Sequence, residues 1–330
     1  MSAIATPKVV KTVLHEPKDH TLTLLEHPAP RPTSSQYLIR VYSTTFTAGE
    51  LEWPEPNALK NPIPGFDLAG EVIHTPNSTP PEGVSWFPTG ARVYGLTSFS
   101  RHGNARSITV AEHSELHEIP DGMDLNTAAS IPLSALTAWQ ALFVHAGLKP
   151  IADANSDKRV LVTAASGGVG IWVTQLASWA GAIVVGTCSS KNADFVKSLG
   201  ADRVLDYTTQ NLSAFIQEDP ARQFDIIIDC VGGKTLEEAW TLVKENGFIT
   251  SIALPPDLKK PSTGVNVGVK SKWFIVEPSG EQLGELGELI QHKTIKPQVD
   301  SIWSLEQYQQ AWNRVKNGHV SGKVVIQVGT

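Results

Sequence analysis

The sequence predicts an α/β fold in which a doubly wound parallel sheet accompanies a smaller, β-rich unit. Three observations carry this. From Arg159 onward, apolar β-prone runs alternate with amphipathic segments, the rhythm of a parallel sheet covered on both faces. Before about residue 125, short β-prone runs are separated by prolines and other turn residues. Finally, no charge occurs from Val160 through Ser190, yet glycines interrupt that run.

Taken in order, "YLIRVYSTTF", "LAGEVIHT", "ARVYGLTSF" and "ARSITVAE" read as the strands of the first unit. In "LNTAASIPLSALTAWQALFVHAGL" the period changes: Leu136, Trp139, Gln140 and Phe143 fall at helical spacing, predicting a helix that leads into a new domain. The parallel strands are then "RVLVTAA", "AIVVGTC", "RVLDY", "FDIIIDCV", "GFITSIAL" and "KWFIVE". The helices between them are "GGVGIWVTQLASWAG", "KNADFVKSLG", "NLSAFIQED" and "KTLEEAWTLV", the second stopped by Gly200. The tail supplies two helices and a last strand, which is expected to rejoin the first unit.

At 330 residues the chain accommodates two domains with sizeable cores. Hydrophobic and charged fractions of 41% and 18% exclude a disordered or fibrous class. A net charge of −6, with no cluster of Lys or Arg, argues against a nucleic-acid partner. Cys188 and Cys230 are too few for a disulfide framework or a four-cysteine zinc site, and suggest a reducing compartment. The stretch "MSAIATPKVVKTVLHEP" lacks the apolar core of a secretory leader, so a cytoplasmic protein is expected.

The charge-free run is no membrane span, because Ser166, Gly167, Gly168 and Gly181 interrupt it and Thr163, Thr174, Gln175 and Ser178 dilute it. It reads as strand, tight turn, helix. Ala165-x-Gly167-x-x-Gly170 follows the dinucleotide fingerprint, with Ala in the first glycine position. Val169, Trp172, Val173, Leu176, Ala177 and Ala180 then mark one apolar helix face. A side chain at position 167 would obstruct a pyrophosphate, while a helix N-terminus offers free N–H groups. The second strand ends in Thr187, Cys188, Ser189, Ser190 and Lys191, without the carboxylate that binds ribose hydroxyls. Hydroxyls and an ammonium attract a 2′-phosphate, so the expected cofactor is NADPH.

With these motifs stand "PIPGFDLAGEV", "IPLSALTAWQAL", "VKSLGADRVLDY", "DIIIDCVGG" and "GHVSGKVVIQV". In this order they resemble the medium-chain dehydrogenase/reductase superfamily, zinc-free quinone oxidoreductase-like branch, over nearly the whole chain. The resemblance implies a GroES-like catalytic domain of residues 1–125 and 276–330 and a Rossmann domain of residues 126–275, with the active site in the cleft between them. It also implies that Ser166, Gly167, Gly168, Val169 and Gly170 meet the pyrophosphate. Ser189, Ser190, Lys191 and Tyr207 would surround the 2′-phosphate; Thr137, Val231, Ala253, Leu254, Phe274 and Ile275 would lie on the nicotinamide side. A homodimer joined through "KWFIVE" is implied as well. There are departures: the family's phosphate-binding Lys falls at Asn192, its Asn near the nicotinamide at Thr47, its Asp at Glu50, and its "AEY" at Ala105-Arg106-Ser107.

Where zinc-dependent relatives carry Cys and a His-Glu pair, this chain has Thr47 and Phe66-Asp67, so no metal is expected. His113 and His117 of "HSELH", like His102, are read as surface residues. Without a metal, a conjugated carbonyl or quinone suits hydride transfer, since charge can spread onto oxygen. The expected reaction is NADPH-dependent reduction of an enone, enal or quinone. Thr47, Tyr94 and water are candidate donors to the substrate oxygen, and Tyr42, Phe46 and Trp53 candidate pocket walls. Two rivals remain: an enoyl-thioester reductase with Arg101 and Arg106 as a basic rim, and an NADPH-binding redox sensor or structural protein without turnover.

Overall fold

The computed structural model describes residues 7–329 apart from 83, 85, 211 and 218, and begins with an antiparallel hairpin that the sequence reading had not assigned. Its strands are β1 (Val9–Glu16) and β2 (Thr21–Pro28). There follow β3 (Gln36–Phe46), a single turn α1 (Pro54–Asn57), β4 (Asp67–His74), β5 (Arg92–Leu96), β6 (Ile108–Glu112) and β7 (Leu116–Glu118). The long helix expected next is broken into α2 (Leu125–Ala129) and α3 (Pro132–Trp139). Asp124 caps α2 by accepting the N–H groups of Asn126 and Thr127, and Pro132, with no N–H to donate, starts a new helix. A π turn over Gln140–His145 ends the segment.

Next come β8 (Arg159–Val162), α4 (Gly170–Trp179), β9 (Ile183–Cys188), α5 (Ala193–Ser198), β10 (Arg203–Asp206) and α6 (Leu212–Gln217). They are followed by β11 (Phe224–Asp229), α7 (Gly233–Leu242), β12 (Val243–Ser251) and β13 (Lys270–Trp273). The tail holds α8 (Gly280–Gln291), β14 (Val299–Ser304), α9 (Tyr308–Lys316) and β15 (Lys323–Gln327). Strand β14 was not foreseen, because its alternation is diluted by Asp300 and Ser301. The run "KWFIVE" is strand only to Trp273, where its pairing with β12 ends at Ser251.

Two units result: residues 1–136 with 277–330, and residues 137–276. The change of period had suggested a first boundary at residue 125. Hydrogen bonds from Ser43 Oγ to Asn126 Oδ1 (2.6 Å) and from Leu133 N–H to Asp67 Oδ1 (2.7 Å) hold that segment to the first unit. In the first unit the sheet order is β14-β15-β3-β4-β5-β7, with β6 paired to β3. The last strand does return, antiparallel to β3, with Val324 opposite Phe46. Val13, Phe46, Leu51, Ile63, Leu305 and Ala311 form one of its buried clusters.

The second unit is a six-stranded parallel sheet, order β10-β9-β8-β11-β12-β13. The order reverses between β8 and β11, the switch point at which such sheets open a crevice at their carboxyl edge. Leu161, Val185, Phe224, Ile227, Leu236 and Trp240 are buried on one face of it. The electrically empty run from Val160 is therefore β8 and α4, whose Ile171, Trp172, Val173 and Leu176 are wholly buried. No helix among the described residues is long and apolar enough to cross a membrane.

In the tail, Arg314 forms a two-pronged pair with Asp300 (2.6 and 2.9 Å), which also accepts the Ser321 N–H. Lysine carries the charge but not the planar fork. Arg314→Lys is expected to lower unfolding stability by about 1–3 kcal/mol, the range for a charged, partly buried hydrogen-bonded pair; urea titration measures it.

Candidate dinucleotide site and buried ionic cluster

At the carboxyl edge of the parallel sheet, six successive loops carry nearly all the residues singled out for a cofactor. Ser166, Gly167, Gly168, Val169 and Gly170 follow β8, and Ser189, Ser190 and Lys191 follow β9. Tyr207 follows β10, Val231 follows β11, Ala253 and Leu254 follow β12, and Phe274 and Ile275 follow β13. Thr137 stands apart from these loops, on α3, and is 5% exposed. Phe274 is nearly buried against the His145 ring, whereas Ile275 is exposed.

The turn after β8 is built by backbone necessity. A Cβ on Gly170 would run into the Ala164 carbonyl oxygen, so only glycine lets α4 start this close to the strand. No side chain caps α4. The N–H groups of Ile171, Trp172 and Val173 are met by the Gly167 and Val169 carbonyls, so an anion would be met by the turn of Gly168, Val169 and Gly170 before them. Ala164 adopts a left-handed φ of 49°, and its N–H donates to Thr187 Oγ1 (3.2 Å). Asn192, standing where a phosphate-binding lysine was expected, donates from Nδ2 to Ser166 Oγ (3.1 Å) and so ties the turn to the segment after β9.

Asp229, at the end of β11 and wholly buried, organises the neighbouring loops. Its carboxylate accepts Thr163 Oγ1–H (3.0 Å), Ser251 Oγ–H (2.9 Å), the Gly232 N–H (2.9 Å) and the Val231 N–H (3.3 Å). Ser251 Oγ in turn accepts the N–H groups of Ala253 (3.2 Å) and Leu254 (3.4 Å). Gly232, at φ 76°, sits against Leu254 so closely that a Cβ would lie 2.7 Å from its Cδ2. One carboxylate thus fixes Val231, Ala253 and Leu254 together.

A cavity of about 630 Å³ opens among Ala164, Thr187, Tyr207, Val231, Lys234 and Glu238, with Thr208, Thr209, Gln210, Leu212 and Thr235 completing its wall. Its volume and its mixture of apolar side chains and hydroxyls suit the adenosine half of a dinucleotide. Tyr207 and Val231 were anticipated; Lys234 was not, although "GGK" at the start of a helix after a strand was available as a signal. Ser189, Ser190 and Lys191 are not in the wall, and the last two are exposed. Asp206 was missed too. It lies opposite Cys188 across the β9–β10 pair, and hydrogen bonds from Thr208 and Ser190 hold its carboxyl below the usual range. Both thiols are pushed up by burial, Cys188 with Asp206 nearby and Cys230 with Asp229 nearby.

In the first unit, Lys323 is buried and donates to Thr47 Oγ1 (2.7 Å) and to Asp67 Oδ2 (3.2 Å). Asp67 also accepts from Thr45 Oγ1 and from the Leu133 N–H. Glu50, 2% exposed, has neither carboxyl oxygen hydrogen-bonded. Burial pushes its carboxyl up to about 8, against the opposing pull of Lys323 and the nearby N–H groups of Thr47 and Gly65. Thr47 is half-exposed and is the outermost member of the cluster.

Several expectations are corrected here. Tyr94 is no proton donor to a substrate: it is wholly buried, its O–H already donates to the Leu283 carbonyl (2.7 Å), and burial pushes its hydroxyl far up. Phe46 is a core residue at 2% exposure, edge-on to Trp312. Tyr42 donates to Glu71 (3.3 Å), while Trp53 packs on Phe66 and Phe99, so these aromatics do not form one wall. Arg101 is paired with Glu115, and Arg106 is buried, bonded to Thr109 and lowered to about 10 by burial and by Arg101; neither forms a basic rim. His113 is half-buried, stacked on Phe87 and bonded to Tyr37 (3.1 Å). His102 is likewise half-buried, with its Nδ1 shielded and unpartnered.

Zinc does not fit the residues present. The Asp67 carboxylate is engaged by an ammonium, a hydroxyl and an N–H, and its neighbour is Phe66. Among the described residues no group of three or more His, Cys, Asp or Glu side chains is placed to hold a metal.

A family model described as zinc-binding dehydrogenase matches residues 199–326. A protein of Arthroderma benhamiae named as a mitochondrial zinc-binding oxidoreductase is 42% identical over 335 residues, 99% of this chain and 99% of that one. The mitochondrial NAD(P)H oxidoreductase RTN4IP1 of Danio rerio is 30% identical over 287 residues, 81% of this chain and 72% of that one. Among solved structures, the quinone oxidoreductase from Coxiella burnetii matches with a TM-score of 0.84 and 26% identity, over 98% of this chain and 100% of that one. The expectation of a cytoplasmic location is overturned by the two mitochondrial relatives. Its weakness was physical: lacking an apolar leader bears on secretion, whereas organelle-directing segments are amphipathic and polar.

Glu50 yields a pH test. Its folded carboxyl titrates at about 8 against an ordinary 4.5, so between those values the folded state holds a proton that the unfolded chain releases. Stability from this group is full at lower pH and is lost as pH rises toward 8. Thermal melts of Glu50→Gln should therefore fall less between pH 5 and 8 than those of the unsubstituted protein. Both cysteines should also resist a disulfide-exchange reagent at neutral pH until the protein unfolds, as counted by released chromophore.

Proposed function

Because this chain belongs to the medium-chain dehydrogenase/reductase superfamily, in its quinone oxidoreductase-like branch, we propose that it is a zinc-independent, NADPH-dependent reductase of a conjugated carbonyl or quinone. That it is an oxidoreductase using a nicotinamide cofactor follows from its relatives. The finer reading rests on one observation above all: the residue set at the carboxyl edge of the parallel sheet. The glycine turn that leads into α4 suits a pyrophosphate, and the cavity beside Tyr207 and Val231 suits adenosine. Ser189, Ser190 and Lys191 follow β9 without a carboxylate, and Lys234 adds a second ammonium in the cavity wall.

The cofactor supplies a hydride when bound. This chain's part is to hold cofactor and substrate at reacting distance and to meet the charge that develops on the substrate oxygen. Thr47 and water are the candidate donors once Tyr94 is set aside, and Thr47 is the one that this chain itself supplies. A conjugated acceptor suits a protein whose Asp67 is locked to Lys323 rather than left open for a Lewis acid. The homodimer implied by the resemblance remains part of this reading, as do the small-molecule substrate and the absence of nucleic acid and membrane as partners. The thioester alternative loses its basic rim with Arg101 and Arg106. A cofactor-binding protein without turnover is distinguished by activity alone.

Asp206 favours a second reading on one point. A carboxylate beside Ser190 opposes a 2′-phosphate and suits ribose hydroxyls, which would make NADH the cofactor. The test is an acceptor panel of simple quinones and 2-alkenals with NADPH and NADH side by side. Preference for NADPH is expected, and Lys191→Ala and Lys234→Ala should each raise KM for NADPH by about tenfold, the equivalent of about 1.4 kcal/mol of lost charge pairing, with KM for NADH nearly unchanged. Preference for NADH overturns the phosphate assignment; tight binding without turnover across the panel overturns the reductase.

A further inference from the structure

The buried ionic cluster of the first unit has an arrangement that a purely structural ion pair does not need. Lys323 and Asp67 are 4% and 1% exposed, and Glu50 is 2% exposed, yet the ammonium also reaches Thr47, which is half-exposed. An ammonium has only donors. Thr47 Oγ1 is therefore the acceptor in the 2.7 Å contact, and its own O–H hydrogen is left to point elsewhere. Lys323 is in turn committed, through Asp67, whose other oxygen accepts the Leu133 N–H.

We propose that Lys323 is the positioning residue for proton delivery: it fixes the Thr47 hydroxyl as an outward donor and returns a proton to it. This rests on the reading above that the chain reduces a conjugated carbonyl or quinone. As two electrons reach the substrate with the hydride, a proton passes from Thr47 Oγ to the substrate oxygen. The Oγ–H bond breaks, a new O–H bond forms, and a proton of Lys323 Nζ moves onto Oγ. The resulting amine takes its replacement from water after the product leaves. No threonine alkoxide has to persist, because the ammonium lies within hydrogen-bond reach of the oxygen that loses its proton.

The groups facing Lys323 support this role. Asp67 is the carboxylate paired with it, and Glu50, whose carboxyl is pushed up by burial, holds its proton at neutral pH. One ammonium is thus balanced by one carboxylate, and release of a proton toward Thr47 leaves Asp67 as the one charge of this cluster, which favours return of a proton to Lys323. A second charged carboxylate would have locked the ammonium more firmly.

Two measurements test the assignment. In steady-state kinetics, Thr47→Val should lower kcat by about 10²-fold or more, the usual size of a lost general acid, with KM for the nicotinamide cofactor within about twofold. Thr47→Ser should restore most of the loss. Lys323→Arg keeps a cation beside Asp67 but cannot give up a proton, so it should lose kcat similarly while its melting temperature stays close to that of the unsubstituted protein.

The second measurement needs no turnover. 4-Nitrophenol, a phenol whose ionisation is visible by colour, should on binding titrate about one pH unit lower, equal to about tenfold in its ionisation constant. Thr47→Val should abolish that shift and Thr47→Ser retain it. Unaltered kcat in Thr47→Val, full activity in Lys323→Arg, or a phenol that binds without a Thr47-dependent shift overturns the proposal. If no acceptor is reduced but the shift appears and depends on Thr47, the reductase reading fails and the donor assignment stands.

Discussion

A carboxylate taken out of water must have its lone pairs met, and that constraint organises both units. The effective cost of desolvating one is still several kcal/mol after relaxation, so an unpaired one would discharge or unfold the site. Asp229 meets the requirement with two hydroxyls and two N–H groups drawn from the carboxyl ends of three strands of the parallel sheet. Asp67 meets it with an ammonium from the last strand, a hydroxyl from β3 and an N–H from the start of α3. In each case, segments distant in the chain converge on one buried charge. Glu50 is the contrasting case: neither of its carboxyl oxygens is hydrogen-bonded, and burial favours its protonated form.

The candidate cofactor loops inherit their positions from this network and from the parallel register. A parallel sheet brings every strand's carboxyl end to the same edge, so loops far apart in sequence become neighbours without contacting one another in the primary structure. The Asp229 and Ser251 side chains then set how the loops after β11 and β12 lie, while Thr187 and Asn192 brace the turn after β8. Hydroxyls at this edge are engaged in structure, those of Thr163, Thr187 and Ser251 among them. For that reason the residue type alone says little about which of them a ligand meets.

The family and a near relative carry zinc in their descriptions, whereas the donor set here does not suit it. An ammonium occupies the place beside Asp67 where a cation is wanted, and phenylalanine precedes it. Superfamily membership therefore settles the architecture and the general chemistry, and the local residues argue for how the substrate oxygen is handled.

Much was legible in the chain because it rests on local rules. The period of the apolar residues identified the parallel strands and their helices, Gly200 marked a helix end, and the glycine spacing after "VLVTAA" identified the strand-to-helix turn. Only the tertiary structure decided what side chains do once neighbours surround them. Tyr94 and Phe46 look the same in sequence whether they face a substrate or a core, and burial put both in the core. Arg101 found Glu115, and Asn192 found Ser166, through contacts across many residues. The first hairpin and β14 escaped notice because their alternation is weak and the pairing that stabilises them is not local. By itself the sequence determined the two-unit architecture and the class of ligand. The fold decided which hydroxyls are engaged by other side chains, since a hydrogen bond depends on where its partner lies and not on how far along the chain it was encoded.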